Sequence, residues 1–477
     1  MSVIIMEPIN EVRTITSQRK TTLLVVNDFK YRFIKKTKDS LMSWRCTRKT
    51  CKASLLMESN YTVLSTKGNH EHPKENKIEL QDLRERCKQK ALESLSTKPS
   101  NLLRAELLKS PIATNYKNIR SIRKAIYNER RKLFSTFSKS IDQVFLQLKK
   151  MKYNSCYMYK NKDFVYIPNT DDFICLTTQE NLNFMVNNCD EYFTEGNIDY
   201  APKFFLQMYT IYSMKNGFYL PLVYFFLKNK TKNTYEIIWK FLNKLCVELC
   251  SIPLTVQKLY LDFDKNVHGA AINVFPGVAL IGCHFHYHQC LWHKINEHSQ
   301  LRYPYMKNDD DFGKWIKMFY GLTFLPPNEI EDAFIELISI CPNHKNGIIF
   351  SDYILETFVS PNSIFPPNVW ASEPSLNSSL RTINGPESFH RTFDGQFYAR
   401  RPQVPKVISI LIQTQAKTST KLHSIAQEGS VNKMTKEDTL LYDKIISLYN
   451  NYKNNKTPDT LISYLIELSQ LYKQGRI

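Results

Sequence analysis

The sequence predicts an α/β protein: a mixed sheet with a helical insertion, preceded by a small β-rich module and a basic helical segment. Three observations lead there. Between about residues 163 and 286, short β-branched and aromatic runs give way to alternating strand-like and helix-like runs, the pattern of a mixed or parallel sheet with crossover connections. Residues 22–73 hold only short apolar runs broken by polar turns, which suggests a small sheet. The charge is lopsided as well. Of a net +19, residues 1–150 carry 32 Lys+Arg against 14 Asp+Glu, whereas residues 151–477 carry 32 against 31. A chain of 477 residues is too long for one typical core, so two or more domains are expected. With 43% hydrophobic and 13% aromatic residues, wholesale disorder is excluded. A basic front on a neutral body reads as a polyanion-binding module tethered to something else.

Taken in order, "TTLLVVNDFKYRFIKK" and "NYTVLSTKGN" are the strand-like runs of the front. Residues 74–152 change to charged helical patterns, "IELQDLRERCKQKALESL" and "YKNIRSIRKAIYNERRKLF", with Pro99 and Pro111 as punctuation. From about 163 to 230 the segments "DFVYIPN", "NFMVNN", "KFFLQMYTIYSM" and "FYLPLVYFFLK" read as strands. The helix "TYEIIWKFLNKLCVELC" follows, then strand "KLYLDF", helix "KNVHGAAINVF" and strand "VALIGCHFH". Residues 287–380 are mostly helical, and residues 404–477 read as helices with polar connectors. No stretch approaches the ~18–20 apolar residues of a membrane span, and "MSVIIMEPINEVR" lacks the features of a secretory signal. The eleven cysteines are odd in number with no dense framework. They are expected as reduced thiols or metal ligands, in the cytosol or nucleus.

Cys46 and Cys51 are close enough in the chain to pinch one side of an ion from a hairpin or turn. His70 and His72 have one residue between them and, on a strand, would present both imidazoles on one face. Two thiols and two imidazoles complete the tetrahedral set that zinc takes. The alternative is two buried thiols and an accidental histidine pair on a loop. Arg45, Arg48, Lys49 and Lys52 flank the ligands and read as phosphate contacts or as a solvated face. The helical segment adds Arg120, Arg123, Lys124, Arg130, Arg131 and Lys132. Of these, Arg120, Arg123 or Lys124, Arg131 and related positions recur at helical spacing and give a basic face, read as an accessory DNA contact, with a nuclear-import patch or a solvated helix as alternatives.

Phe29, Tyr31, Trp44, Cys46, Cys51, His70 and His72 stand in the order that names the FLYWCH-type zinc finger, which residues 14–73 resemble. The resemblance implies a small β-rich module that binds zinc through the two cysteines and two histidines and recognises double-stranded DNA.

Three motifs mark the neutral body. They are "TEGNIDYAPKFFLQMYTIY" at 194–212, "LYLDFDKNVHGAAINVFPGVALIGCHFHYHQCLWHKI" at 259–295, and "RTINGPESFHRTFDGQF" at 381–397. Together they resemble the Mutator-like element (MULE) transposase domain over roughly residues 160–415. That family implies a ribonuclease-H-like mixed sheet with a helical insertion, here about 287–380, and three acids holding Mg²⁺ or Mn²⁺. Such acids suit in-line displacement at phosphorus, where paired cations activate the attacking oxygen and stabilise the leaving one. The matching positions are Glu195, Asp262 and Glu387. Asp262 ends a strand and is either a ligand or the N-cap of the next helix, a role Asp264 could equally fill. Glu387 lies in "N-x-x-E-x-x-H-R", with Asn384, His390 and Arg391. The first acid departs from the family's usual aspartate. Glu195 adds a methylene, and ~1 Å of misplacement in such a site can cost ~100-fold. Cys283 and His286 match the family's Cys-x-x-His, and read either as a packed strand-to-helix junction or as part of a second zinc site. Cys246, Cys250, Cys156, Cys175 and Cys341 read as ordinary buried thiols.

These readings divide the chain into 14–73, a zinc finger; 74–152, a basic helical segment; 160–415, a transposase-like domain; and 416–477, C-terminal helices. The expected function is DNA recognition through zinc, coupled to metal-dependent strand cleavage or transfer in the nucleus. The rivals are a catalytically inactive, transposase-derived regulator and a finger that docks a protein partner. Pairing of two element ends implies a homodimer, and no membrane partner is expected.

Overall fold

The computed structural model describes residues 12–17, 21–37, 39–74, 78–93, 97–109, 116–133, 140–150, 157–375, 385–397, 399–429 and 431–471, with residues 133, 385–387 and 428 described in backbone only. The Glu387 side chain and Cys156 therefore lie outside the described atoms. The chain forms two compact units, Met1–Phe137 and Ser138–Ile477. The finger and the basic helices share the first unit. Among the described residues no helix is long and apolar enough to cross a membrane.

The first unit begins with a six-stranded antiparallel meander in chain order: β1 (Val12–Thr16), β2 (Thr22–Val26), β3 (Phe29–Lys36), β4 (Met42–Cys46), β5 (Ser54–Met57) and β6 (Val63–Lys67). Period-two alternation sends Leu24, Val26, Tyr31, Trp44, Leu55 and Met57 to one small core. On the other face, Ile15 and Val25 meet Ile78 of α1 (Ile78–Glu93). Gln81 of that helix donates to the Thr16 carbonyl at 2.8 Å and accepts from Lys30 at 2.8 Å. With α2 (Pro99–Lys109) and α3 (Tyr116–Leu133), α1 encloses a second core of Leu83, Cys87, Leu102, Leu103, Ile122 and Ile126. Pro99 sits at the first turn of α2, where a missing N–H costs nothing.

The second unit starts with α4 (Ile141–Lys150), so the expected basic segment 74–152 is divided between the units. A short hairpin, β7 (Met158–Tyr159) and β8 (Lys162–Asp163), follows. A seven-stranded mixed sheet then forms from β9 (Val165–Tyr166), β10 (Phe173–Leu176), β11 (Glu191–Asn197), β12 (Gln207–Lys215), β13 (Phe218–Leu227), β14 (Lys258–Leu261) and β15 (Ala279–Gly282). Its order is β15-β14-β11-β12-β13-β10-β9. The central β11–β12–β13 meander is antiparallel, while β14 and β15 run parallel to β11. The crossovers are α6 (Lys232–Cys250) and α7 (Lys265–Val274), and α5 (Gln179–Asn188) packs beside α6. Here the expected strand "NFMVNN" is a helix. Thr178 caps α5 by accepting from the Asn181 N–H, and Leu182 and Met185 are buried one turn apart. The cap and the apolar spacing outweigh the strand-like look of Phe184, Met185 and Val186.

Sheet residues alternate between two cores. Phe173, Cys175, Tyr209, Ile211 and Phe225 face α5, α6 and α7. Ile174, Leu176, Met208, Tyr224 and Phe226 face α4 and the start of a long helix, Val404–Glu428. Beyond β15, α8 (His284–Glu297) takes up the end of the expected strand "VALIGCHFH". It leads into the predicted helical insertion: α9 (Ser299–Met306), α10 (Asp311–Met318), α11 (Ile330–Ser339), α12 (His344–Ile354) and α13 (Pro367–Trp370). Next come α14 (Gly385–Asp394), the long helix α15 (Val404–Glu428), α16 (Lys436–Asn454) and α17 (Pro458–Leu471). The last two are packed into the insertion's core through Ile445, Tyr449, Tyr464 and Leu465. The expected boundary at 415/416 thus falls inside α15.

Candidate metal centre and the surfaces around it

The turn after β4 is closed by Cys51 N–H donating to the Arg48 carbonyl at 3.1 Å, and Cys46 N–H pairs with Ala53 at 2.9 Å. These bonds bring Cys46 and Cys51, both buried, to one side. The histidines arrive from beyond β6 through Gly68, whose φ of +77° favours glycine. They are not on a strand, as the sequence reading had it. The irregular backbone after Gly68 turns the rings so that His70 offers Nδ1 and His72 offers Nε2. Cys46 Sγ lies 3.3 Å from His72 Nε2, Cys51 Sγ 3.4 Å from His70 Nδ1, and the two nitrogens are 3.1 Å apart. All four donors fall within 4.8 Å of one another, the one such group of three or more donors among the described residues. A zinc tetrahedron with Zn–N of ~2.0–2.1 Å and Zn–S of ~2.3 Å has edges of about 3.3–3.8 Å. The set fits that ion.

The remaining ring nitrogens are engaged. His70 Nε2 pairs with the Tyr31 hydroxyl at 2.7 Å, and His72 Nδ1 donates to the Pro73 carbonyl at 3.0 Å. The Pro73 carbonyl, an acceptor only, fixes the His72 tautomer that leaves a lone pair on Nε2, and the Tyr31 hydroxyl can accept from His70 Nε2–H in the tautomer that frees Nδ1. Phe29 stacks flat on His70, with centroids 3.7 Å apart and planes 2° from parallel. Burial, with His72 beside it, pulls the His70 imidazole down to about 4, so the ring is neutral at physiological pH. Burial and the neighbouring Cys51 thiol push the Cys46 thiol up, with Arg48 opposing. Zinc binding must therefore displace protons from sulfur.

Arg45, Arg48, Lys49 and Lys52 are all exposed around this centre. The register adds two residues that spacing alone could not find. Arg45 stands opposite Arg32 on β3 and Ser54 on β5, and Ser54 stands opposite Lys67 on β6. Arg32, Arg45 and Lys67, all exposed, form a row across the strands on the face away from Trp44. On α3, Arg123, Lys124 and Arg131 are exposed. Arg130 is not on that face. It is only 8% exposed and donates to the Ala91 carbonyl at 3.1 Å and the Thr97 carbonyl at 2.8 Å, tying α3 to the end of α1. One residue of helical rotation, about 100°, separates it from exposed Arg131.

In the second unit Phe193 pairs in register with Tyr260 across parallel β11 and β14. Their rings stack at 4.2 Å. Glu195 and Asp262 each lie two residues further along, and the Glu195 carboxylate is close enough to act on Asp262. Burial raises the Asp262 carboxyl above the usual range, as do the Asp264 and Glu195 carboxylates, against His286 and Lys230. Asp264, not Asp262, caps α7, accepting from the Asn266 N–H at 2.9 Å. The Asp262 carboxylate takes no hydrogen bond from a described residue, and its main-chain carbonyl pairs with His268 at 2.8 Å.

Helix α14 brings His390 to Glu195, with Nε2 3.2 Å from Oε2. Asn197 Nδ2 donates to His390 Nδ1 at 3.0 Å and to Asp394 Oδ1 at 3.1 Å, and the Tyr212 hydroxyl lies 3.1 Å from His390 Nε2. Glu195 Oε2 is buried, and His390 Nε2 lies against it at ion-pair distance without hydrogen-bond geometry. Burial also raises the Asp394 carboxyl, with His390 and Asn197 opposing. Glu387 lies one turn before His390 in the same helix. Cys283 sits at the N-cap of α8 without a side-chain cap bond. It and His286 join no second set of donors among the described residues. His286 acts instead on Asp262.

No curated protein matches the chain. The four donors, the stacked Phe29, the Tyr31 hydroxyl and the buried Trp44 all lie within residues 14–72, and that stretch matches the family model of the FLYWCH zinc finger domain.

Proposed function

We propose that the chain is a zinc-dependent DNA-binding protein whose second unit derives from a Mutator-like transposase. The observation that carries the DNA-binding reading is the complete Cys2His2 set inside a FLYWCH match, with exposed Arg and Lys on the same strands and turns. Arg32, Arg45, Arg48, Lys49, Lys52 and Lys67 meet phosphates, and the metal holds the strands that carry them. Double-stranded DNA as partner implies the nucleus as compartment, and a transposase reading carries with it a homodimer that pairs two ends.

The ribonuclease-H-like reading of the second unit is supported by its antiparallel meander, extended by two parallel strands beside β11. The transposase reading rests further on the nearness of the Glu195 carboxylate to Asp262 and on α14, which carries Glu387, lying over Glu195. The Asp262 carboxyl, with the Glu195 and Asp264 carboxylates beside it, fits a divalent cation. Mg²⁺ or Mn²⁺ held by Glu195, Asp262 and Glu387 would supply polarisation of a phosphodiester. His390 orients Glu195, and Asn197 and Tyr212 orient His390. The rival is an inactive derivative that only binds DNA, and the Glu195–His390 pairing favours it, since it occupies one carboxylate oxygen with a side chain.

Duplex binding followed by fluorescence anisotropy across a salt series tests the first reading. A steep fall of affinity with salt, abolished by a zinc chelator, is expected. Incubation of supercoiled DNA with Mg²⁺ or Mn²⁺ tests the second, with Asp262→Asn as control. Nicking by the wild type and not by the variant supports the transposase; its absence in both leaves the regulator.

A further inference from the structure

The second unit contains a cavity of ≈ 600 Å³ next to the acids but separate from them. Its walls come from the β12–β13 hairpin, the start of α8, and helices α14, α15 and α16. One helix divides it from Glu195: α14 turns His390 and Asp394 towards Asn197, while Thr392 and Gln396, one turn apart, face the cavity. The mouth is held in shape. Asn216 and Gly217 make the hairpin turn with φ of 51° and 76°, and Asn432 clamps it through Asn432 N–H to the Asn216 carbonyl at 2.8 Å and Asn432 Nδ2 to the Gly217 carbonyl at 3.1 Å.

Two chemistries meet in the walls. Tyr219, Phe285 and Phe389 are half-buried rings that line the space. Lys417 and Lys421, one turn apart on α15, are exposed at its edge, and Lys421 also donates to the Tyr219 carbonyl at 3.4 Å. The single carboxylate among the described lining residues, Asp438, accepts from the Thr435 hydroxyl at 2.6 Å at the start of α16. Rings beside paired ammonium groups suit a flat heteroaromatic carrying an anion. The volume lies in the range of a pocket for one small molecule and is far too small for a duplex. A base stacks on aromatic side chains only when it is unpaired, and its phosphate is met by lysine.

We propose that this cavity takes one unpaired nucleotide of a DNA strand, its base among Tyr219, Phe285 and Phe389 and its phosphate at Lys417 and Lys421. The assignment deepens the DNA-binding reading: the first unit holds duplex, and the second takes a nucleotide that has left it.

The test uses the full-length, zinc-loaded protein and two probes, a blunt duplex and the same duplex with a short single-stranded overhang carrying 2-aminopurine. The overhang is expected to bind about tenfold tighter than the blunt duplex, with 2-aminopurine fluorescence quenched on stacking. The paired change Lys417→Gln and Lys421→Gln is expected to remove that difference and leave blunt-duplex affinity unchanged; Phe285→Ala is expected to restore the fluorescence. Equal affinity for the two probes with an unquenched base overturns the proposal, as does an overhang preference that survives both lysine changes. Competition by free deoxynucleoside monophosphate as effective as the overhang overturns the strand as ligand in favour of a free nucleotide. If overhang binding persists while blunt duplex is not bound at all, the finger's role falls and the cavity's stands.

Discussion

The finger and the seven-stranded sheet solve the same problem with opposite means. The finger's main core is six residues, Leu24, Val26, Tyr31, Trp44, Leu55 and Met57, too few to fix six strands by burial alone. Its β6 end and the segment beyond Gly68 are tied to β4 and the turn after it through the four donors. The sheet of the second unit buries Trp239, Tyr192, Phe173 and Phe225 between layers and carries no such clamp. The difference teaches that the small finger leans on an ion and the large sheet on burial, although both are β-rich.

The sharpest way to break that comparison is to remove the ion. Chelation is expected to withdraw ~10–16 kcal/mol of apparent binding free energy from the finger. In the full chain it should abolish the first unit's melting transition and leave the second's in place, as read by circular dichroism, with one zinc per chain released. A single unchanged transition would mean that the finger does not depend on metal. Next in size, Trp239→Ala should lower the second unit's stability by ~3–5 kcal/mol, equally with and without chelator, in urea denaturation. Phe29→Ala removes the ring stacked on His70 and should weaken zinc ~10–100-fold, measured against a chromogenic chelator, without moving the second unit's midpoint. The smallest effect separates neighbours on α3. Arg130→Gln should cost ~1–3 kcal/mol in the first unit, because the Ala91 and Thr97 carbonyls lose their donor. Arg131→Gln should leave stability within ~0.5 kcal/mol and instead reduce the salt slope of duplex binding by ~1.

The metal donors were legible in the sequence because zinc chemistry admits few residue types and these four sit within 27 positions of one another. Their geometry was not, because alternation on a strand was assumed where Gly68 breaks the strand. Arg32 and Lys67 were invisible for a related reason: strand register is a long-range property, and only pairing across β3–β6 puts them beside Arg45. Arg130 was misplaced because helical spacing gives a face only to within one residue, and that residue decided between solvent and two carbonyls. In the second unit the run of helix and strand from 232 to 282 followed its periodicity closely. "NFMVNN" did not, since the Thr178 cap, five residues upstream of it, overrode local preference. That Glu195 comes near Asp262 follows from parallel pairing of β11 with β14, which composition does not encode.

One consequence of the metal's placement concerns what lies between its ligands. Cys51 and His70 are 19 positions apart, and the excursion between them ends in an exposed tip, Glu58 to Thr62, closed by its own backbone bonds of 3.0 and 3.1 Å. Because the ion ties both ends of that excursion, the tip is a natural place for the chain to grow. Doubling the length of a closed loop costs only ~0.6 kcal/mol, so new residues could be spliced there, and new contacts acquired, while the coordination sphere stays as it is.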